Sequence, residues 1–237
     1  MRLSLPPMWE FGEMEREALG LSLAVALRAV AINLLPAVII AWLLTRRRFP
    51  GRMLLDAFVH LPLVLPPVVV GYLLLLLLGT RGPVGGWLDR HFDFQLTFST
   101  LGAAVATAVM SFPLMVRAMR ISLENVDKGL EEAARTLGAS PWRRFRTITL
   151  PLMLPGVLAG AVTAFAAGLG EFGAVITFVS NIPGETRTLP LALYTALQSP
   201  DGNATAARLA ALSLSLGLAG LLASELLARQ LRRWLGK

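Results

Sequence analysis

The 237-residue sequence has no cysteine and only two histidines, His60 and His91. Without cysteine the chain forms neither a disulfide nor a Cys-ligated metal site. With two separated histidines and no third ligand near either, we expect no metal site and no Ser/His/Asp or Cys/His catalytic set. The sequence also lacks a G-x-x-x-x-G-K-[ST] phosphate loop, so it does not encode an ATPase. We therefore predict a chain that is not an enzyme and binds no cofactor of its own.

Apolar residues dominate what the sequence does contain. Hydrophobic residues make up 55% of the chain, which is more than a soluble domain of this size buries. Five segments reach the roughly 20 apolar residues that a helix needs to cross a bilayer. They are residues 19–45, 53–78, 96–119, 148–179 and 206–227. Lipid offers no partner to an open strand, so we predict an all-α polytopic membrane protein with five transmembrane helices.

One membrane domain, 19–229, accounts for most of the chain. We interpret residues 1–18 as an outer lead-in and not as a signal peptide, because prolines and glutamates interrupt its apolar run. Residues 230–237 are predicted to form a cytoplasmic tail.

The net charge of +7 comes from arginines clustered beside the apolar segments, which indicates membrane topology and not nucleic-acid binding. Fifteen basic residues fall between spans one and two, from the end of span three (Arg117) to span four, or after span five, against five in the lead-in and the opposite loops. Because loops rich in basic residues stay in the cytoplasm, we predict the N-terminus outside and the C-terminus inside. The loop 124–147 is then cytoplasmic.

Most of this loop belongs to the one long polar interruption of the chain, residues 130–151, which reads LEEAARTLGASPWRRFRTITLP. The spacing of its leucines and alanines predicts a short helix with an apolar face. Glu131 and Arg135, one turn apart, are predicted to pair on the solvated side. We expect Gly138 to end the helix in a left-handed conformation, and Ser140 and Pro141 to begin a second helix.

The spacing within the loop resembles the E-A-A-x-x-x-G-x(9)-I-x-L-P pattern of ABC-importer permeases. A surface hairpin would explain the alanines alone but not the full spacing. In that family the loop forms a coupling helix that sits in a groove of a separate ATPase. The resemblance implies that the following residues dock on the ATPase: Glu132, Ala133, Ala134, Gly138 and Arg143.

Other stretches, including LPLVLPPVVVGYLLL, VMSFPLMVRAMR and LGEFGAVITFVSNIPGETRTLP, narrow the resemblance to the permease subunits of molybdate importers. It implies a type I ABC importer fold, a homodimer, and two cytoplasmic ATPase subunits that carry ATP and Mg. It also implies an outer molybdate-binding protein and a location in the inner membrane. Molybdate and tungstate are dianions of nearly equal size, so both remain open. The alternatives are a sulfate or thiosulfate permease and a stand-alone channel, which would not need the coupling loop.

Several residues inside the spans are candidates for the translocation path or its gate: Pro66, Pro67, Ser111, Pro113, Glu171 and Gly173. The prolines indicate either packing kinks or cavity-lining bends, where freed N–H groups would attract an oxyanion without fixed charge. A carboxylate is unsuited to bind an anion, so Glu171 is assigned to gating or subunit packing. Outside the spans, Arg187 either receives an acidic residue of the binding protein or lies in solvent.

Overall fold

The computed structural model describes residues 12–234, and all regular secondary structure in this range is helical. Residues 1–11 and 235–237 lie outside the described residues, and so do the side chains of Arg229, Arg232 and Arg233. The corresponding parts of the predicted lead-in and tail are therefore not described.

Eleven α-helices and one π-helical turn follow one another within residues 12–234. The α-helices are α1 (Glu13–Arg46), α2 (Arg52–Val64), α3 (Pro67–Leu78), α4 (Gly85–Phe92), α5 (Thr100–Glu124), α6 (Lys128–Thr136), α7 (Pro141–Arg144), α8 (Leu150–Leu169), α9 (Gly173–Val179), α10 (Leu189–Leu197) and α11 (Asn203–Trp234). The π-helical turn Phe145–Thr149 joins α7 to α8, so Pro141–Leu169 forms one helix.

Four stretches of helix in the described part of the chain are long and apolar enough to cross a membrane: Glu13–Arg46, Thr100–Glu124, Pro141–Leu169 and Asn203–Ala223. The pair α2 and α3 makes a fifth span if its two helices, bent by 117°, are counted together. The prediction of an all-α polytopic membrane protein is confirmed.

The break in the second span lies at Leu65 and Pro66, and Pro62 lies inside α2 without breaking it. A residue that precedes proline is disfavoured in the α conformation. Leu65 and Pro66 both precede a proline, and both are extended, with ψ of 143° and 135°. A single proline such as Pro113 costs one hydrogen bond, and α5 continues through it.

The predicted fourth span, 148–179, is wrong as one helix, because α8 ends at Leu169 and α9 begins at Gly173. Glycine is a poor helix former, and Gly168, Gly170 and Gly173 surround the break. The first span also differs, since its helix begins at Glu13 and includes the end of the predicted lead-in.

Small residues bring α1, α5 and α8 together at the centre of the molecule. A Cβ added to Gly168 would lie 2.8 Å from Thr107 Cγ2, and one added to Gly156 would overlap Ser122 Cβ. Ala26 on α1 lies next to Gly168 and is fully buried, as are several other alanines of α1 and α5. Small residues of this kind allow the close helix packing that stabilises membrane bundles.

Polar contacts between distant helices supplement this packing. Arg208 on α11 donates to Glu15 on α1 at 2.6 Å, and Glu15 is almost fully buried. Arg120 on α5 donates to Asp56 on α2, also at 2.6 Å. Asp56 further contacts His60, one turn later on α2, at 3.2 Å.

Candidate functional site

The coupling loop folds as two short helices joined by a glycine turn, as predicted. Asp127 Oδ1 caps α6 by accepting a bond from the Gly129 N–H at 2.8 Å. Gly138 has φ of +80°, the left-handed conformation that glycine adopts without strain. Ser140 Oγ then accepts a bond from the Arg143 N–H at 3.3 Å, and Pro141 occupies the first position of α7.

The outer side of α6 and α7 is exposed and partly apolar, and we call it the coupling surface. Leu137 is 87% exposed and Trp142 is 69% exposed. The other exposed members are Leu130, Glu132, Ala133, Gly138 and Arg143. Ala134 is partly buried. An exposed apolar patch with a charged rim is typical of a protein-binding surface.

Glu131 lies on the opposite side of α6, and the predicted pairing with Arg135 is wrong. Glu131 Oε1 lies 3.3 Å from Arg46 Nη2 at the end of α1. It also accepts a bond from Thr149 Oγ1 at 2.7 Å. A solvated pair one turn apart contributes only about 0.2–0.5 kcal/mol. A buried guanidinium without a partner costs more free energy than this, and the Arg46 side chain is only 8% exposed. The pair of Glu131 with Arg46 is therefore favoured over the pair with Arg135.

The two helix breaks within the spans meet each other. Gly173, the first residue of α9, faces Pro67, the first residue of α3, and an added Cβ would lie 2.7 Å from Pro67 Cβ. One turn further along α3, a Cβ on Gly71 would lie 2.7 Å from the Ala174 carbonyl oxygen. Three of the predicted path residues, Pro67, Glu171 and Gly173, therefore lie at one place.

Glu171 lies within the break between α8 and α9. Its Oε1 accepts a bond from the Ala174 N–H at 2.9 Å, so the carboxylate caps α9. At the start of α3, the N–H groups of Val69 and Val70 donate to the Pro66 carbonyl at 2.9 and 3.3 Å. These three N–H groups are paired, so none of them is one of the free donors that we expected at these breaks.

Of the other predicted path residues, Pro66 directly precedes Pro67 as the N-cap of α3, whereas Ser111 and Pro113 lie elsewhere, in α5. Ser111 is buried between α5 and α1, where it accepts a bond from Asn33 Nδ2 at 3.2 Å. Pro113 is buried in α5, whereas Pro66 is exposed. Outside the spans, Arg187 is partly buried and its Nε donates to Asn181 Oδ1 at 3.0 Å. The functional roles of these residues stay predictions.

The most informative residues that sequence reasoning missed are Arg46, Arg120 and Arg208. Each pairs with an acid far away in the sequence, Glu131, Asp56 and Glu15 respectively. The sequence signal for each pair is an arginine near the end of an apolar segment. The same signal is expected of an arginine that anchors a span at the membrane interface.

Comparison with known proteins gives one consistent picture. The family model described as "Binding-protein-dependent transport system inner membrane component" matches residues 12–233. The molybdenum transport system permease protein ModB of Escherichia coli K12 is 58% identical over 223 residues, 94% of this chain and 97% of that protein. The sulfate transport system permease protein CysT of the same organism is 44% identical over 169 residues, 71% of this chain and 61% of that protein.

A solved structure supports the fold. It is a bacterial alginate ABC transporter in complex with an alginate pentasaccharide-bound periplasmic protein, and it matches with a TM-score of 0.72. The match covers 93% of this chain and 80% of that one at 18% identity. The type I ABC importer permease fold is confirmed. The chain therefore belongs to the family of binding-protein-dependent transport system inner membrane components, as a multi-pass protein of the inner membrane.

Proposed function

We propose that this chain is the permease subunit of an ABC importer that carries molybdate, or the closely similar tungstate, across the inner membrane. The observation that carries the proposal is the similarity to the molybdenum permease of E. coli, which extends over nearly the whole chain. The sulfate permease is less similar and matches a shorter part, so the sulfate alternative is not favoured.

ATP hydrolysis takes place on a partner in this proposal, and the chain itself is not an enzyme. Two ATPase subunits carry ATP and Mg and bind the coupling surface. Glu132 and Arg143 offer exposed charges there, while Ala133 and the Gly138 turn allow close approach. Closure of the ATPase dimer moves the two coupling surfaces together. The spans then rearrange so that the translocation path opens to the other side of the membrane.

The path lies between two copies of the chain. We place it near the meeting point of α3 and α9, where Pro66 and Pro67 interrupt one helix and Glu171 the other. The α2–α3 pair exposes large apolar side chains, with Met53 87% and Val64 81% exposed. A second copy and lipid together cover such surfaces in a membrane protein.

An outer binding protein delivers the oxyanion. The related alginate transporter was solved with a periplasmic protein, and this chain has the same fold. Arg187 is our candidate contact, since its guanidinium is only partly buried and has further donors beyond the bond to Asn181. The basic loops favour the N-terminus outside, the C-terminus inside and the coupling surface in the cytoplasm.

The test is uptake of radiolabelled molybdate by proteoliposomes that contain this chain, its ATPase and its binding protein. We expect ATP-dependent uptake that tungstate inhibits at equal concentration and sulfate inhibits only weakly. Uptake of sulfate at a similar rate with the same binding protein would contradict the molybdate assignment. Uptake without ATP would indicate a channel.

The variant Gly138→Asp tests the role of the coupling surface, because it places a charge and a strained residue there. Gly51→Asp is a matched control. Like Gly138, Gly51 is exposed and has a positive φ, in its case +86°, and neither glycine has a heavy atom within 4 Å of an added Cβ. We expect Gly138→Asp to abolish uptake and Gly51→Asp to retain it. Equal activity of the two variants would contradict ATPase docking at this surface.

A further inference from the structure

A charged cavity lies between the end of α1 and the start of the α7–α8 helix. Its volume is about 280 Å³, and Arg46, Arg47, Arg144, Glu131 and Thr149 are among its lining residues. Three guanidinium groups thus face one carboxylate among the described side chains. The cavity has an excess of two positive charges, which favours an anion.

Some of these guanidinium groups have unused donors. Arg46 uses Nη2 for Glu131 and for the Val126 carbonyl oxygen, at 3.3 and 3.2 Å. Its Nε and Nη1, and Nε of Arg144, are buried without a hydrogen-bond partner in the described part of the structure. Buried donors of a charged group are normally satisfied, and the oxygens of a phosphate match the guanidinium fork well.

An apolar groove adjoins the charged cavity. It has a volume of about 290 Å³, and Ile39, Trp42, Trp142 and Phe145 provide most of its wall. Trp42 and Arg47 line both cavities, and the Arg47 guanidinium lies 5.1 Å from the centre of the Trp42 ring.

The face of α1 next to the groove is exposed and apolar within the membrane-spanning part of the helix. Ile39 is 52% exposed, and Leu35, one turn earlier on the same helix face, is 68% exposed. An acyl chain lying against these residues would enter the groove, and its headgroup would reach the arginines at the end of the span. Arginine and tryptophan are typical of such membrane interfaces.

We propose that the two cavities together bind one anionic phospholipid, with its phosphate on Arg46, Arg47 and Arg144 and an acyl chain in the groove. A free phosphate or oxyanion would fill the charged cavity alone and leave the apolar groove empty. Because Arg46 also holds Glu131, the bound phosphate would contact the same guanidinium that anchors the coupling loop. The proposal does not depend on which oxyanion is transported.

The experiment is native mass spectrometry of the detergent-purified complex of this chain with its ATPase, titrated with phosphatidylglycerol or phosphatidylcholine. We expect phosphatidylglycerol to be retained and phosphatidylcholine to dissociate. The double variant Arg47→Gln/Arg144→Gln should weaken phosphatidylglycerol binding by about tenfold or more, since each basic residue at a membrane surface contributes on the order of a fivefold change.

The matched control is Arg48→Gln/Arg146→Gln. It removes the same charge from the same two segments, and both arginines are exposed and lie outside the lining of the two cavities. We expect it to bind phosphatidylglycerol as the wild type does. The single variant Arg47→Gln, at an exposed position, gives a second measurement if the double variant does not fold.

Three outcomes would overturn the proposal. Equal weakening by both double variants would mean that only the overall charge attracts lipid. Displacement of phosphatidylglycerol by millimolar inorganic phosphate or molybdate would indicate a site for a free oxyanion. Loss of the ATPase from Arg47→Gln/Arg144→Gln, with no lipid retained by the wild type, would indicate that the ATPase covers the cavities.

Discussion

Arg46 at the end of α1 and Glu131 on α6 lie 3.3 Å apart, and this ion pair ties the coupling loop to the first span. Glu132, the next residue, is exposed on the other side of the same helix. Two adjacent acids thus have different surroundings, and their substitution should separate the anchoring of the loop from the proposed binding to the ATPase.

Glu131→Ala should lower the stability of the protein by about 1–3 kcal/mol, because it leaves the buried Arg46 guanidinium without its carboxylate. Glu132→Ala should change stability by less than about 0.5 kcal/mol, as is usual at an exposed position, but weaken ATPase binding. Thermal unfolding and ATPase pull-down measure the two effects. Equal loss of stability in both variants would contradict the anchoring role of Glu131.

Gly173→Ala should destabilise the contact between α3 and α9, because the new Cβ would lie 2.7 Å from Pro67 Cβ. Overpacking of this kind costs about 1–3 kcal/mol. Gly170→Ala is the control, since the nearest atom to its added Cβ is 3.8 Å away. Thermal unfolding in detergent compares them. If the two variants unfold at the same temperature, the two helix breaks do not meet as described.

Glu171→Gln should retain transport, and Glu171→Ala should reduce it. The amide oxygen of glutamine can still accept the Ala174 N–H bond that now caps α9. Alanine cannot, and loss of a helix cap costs about 1 kcal/mol. Molybdate uptake by proteoliposomes measures both variants. Loss of uptake in Glu171→Gln with an unchanged unfolding temperature would show that the charge itself is required.

Glu15→Ala should destabilise the protein by about 3–5 kcal/mol, because it leaves the charge of Arg208 unpaired in a buried position. The Arg208 side chain is 14% exposed and that of Glu15 only 2%. Glu13→Ala serves as control, since Glu13 lies in the same first turn of α1 but is exposed. Chemical unfolding should show little change for Glu13→Ala. A similar small change for Glu15→Ala would mean that the ion pair does not hold α1 and α11 together.

The parts of the structure that the sequence predicts are those that local rules decide. Five apolar stretches, the left-handed Gly138 and the Ser140–Pro141 helix start all depend on residues close in the chain. The partner of Glu131 does not, because Arg46 is far away in the sequence and only the tertiary fold brings the two side chains together.

The break at Glu171 was missed for a related reason. Each of Gly168, Gly170 and Gly173 is tolerated in a membrane helix, so an apolar run through them is compatible with one continuous span. Whether the three glycines together break the helix depends on the contact that Gly173 makes with α3. Similarly, Pro62, Pro66 and Pro67 are all candidates for a kink, and only the consecutive pair bends the chain.

The π-helical turn Phe145–Thr149 joins the coupling loop to the fourth span. A π-helical turn contains one residue more than an α-helical turn, and each residue of an α-helix advances the chain by about 100° around the axis. The helix between the coupling loop and the membrane thus holds one additional residue. Loss of that residue would turn α7 against α8 by about 100° while both remain helical.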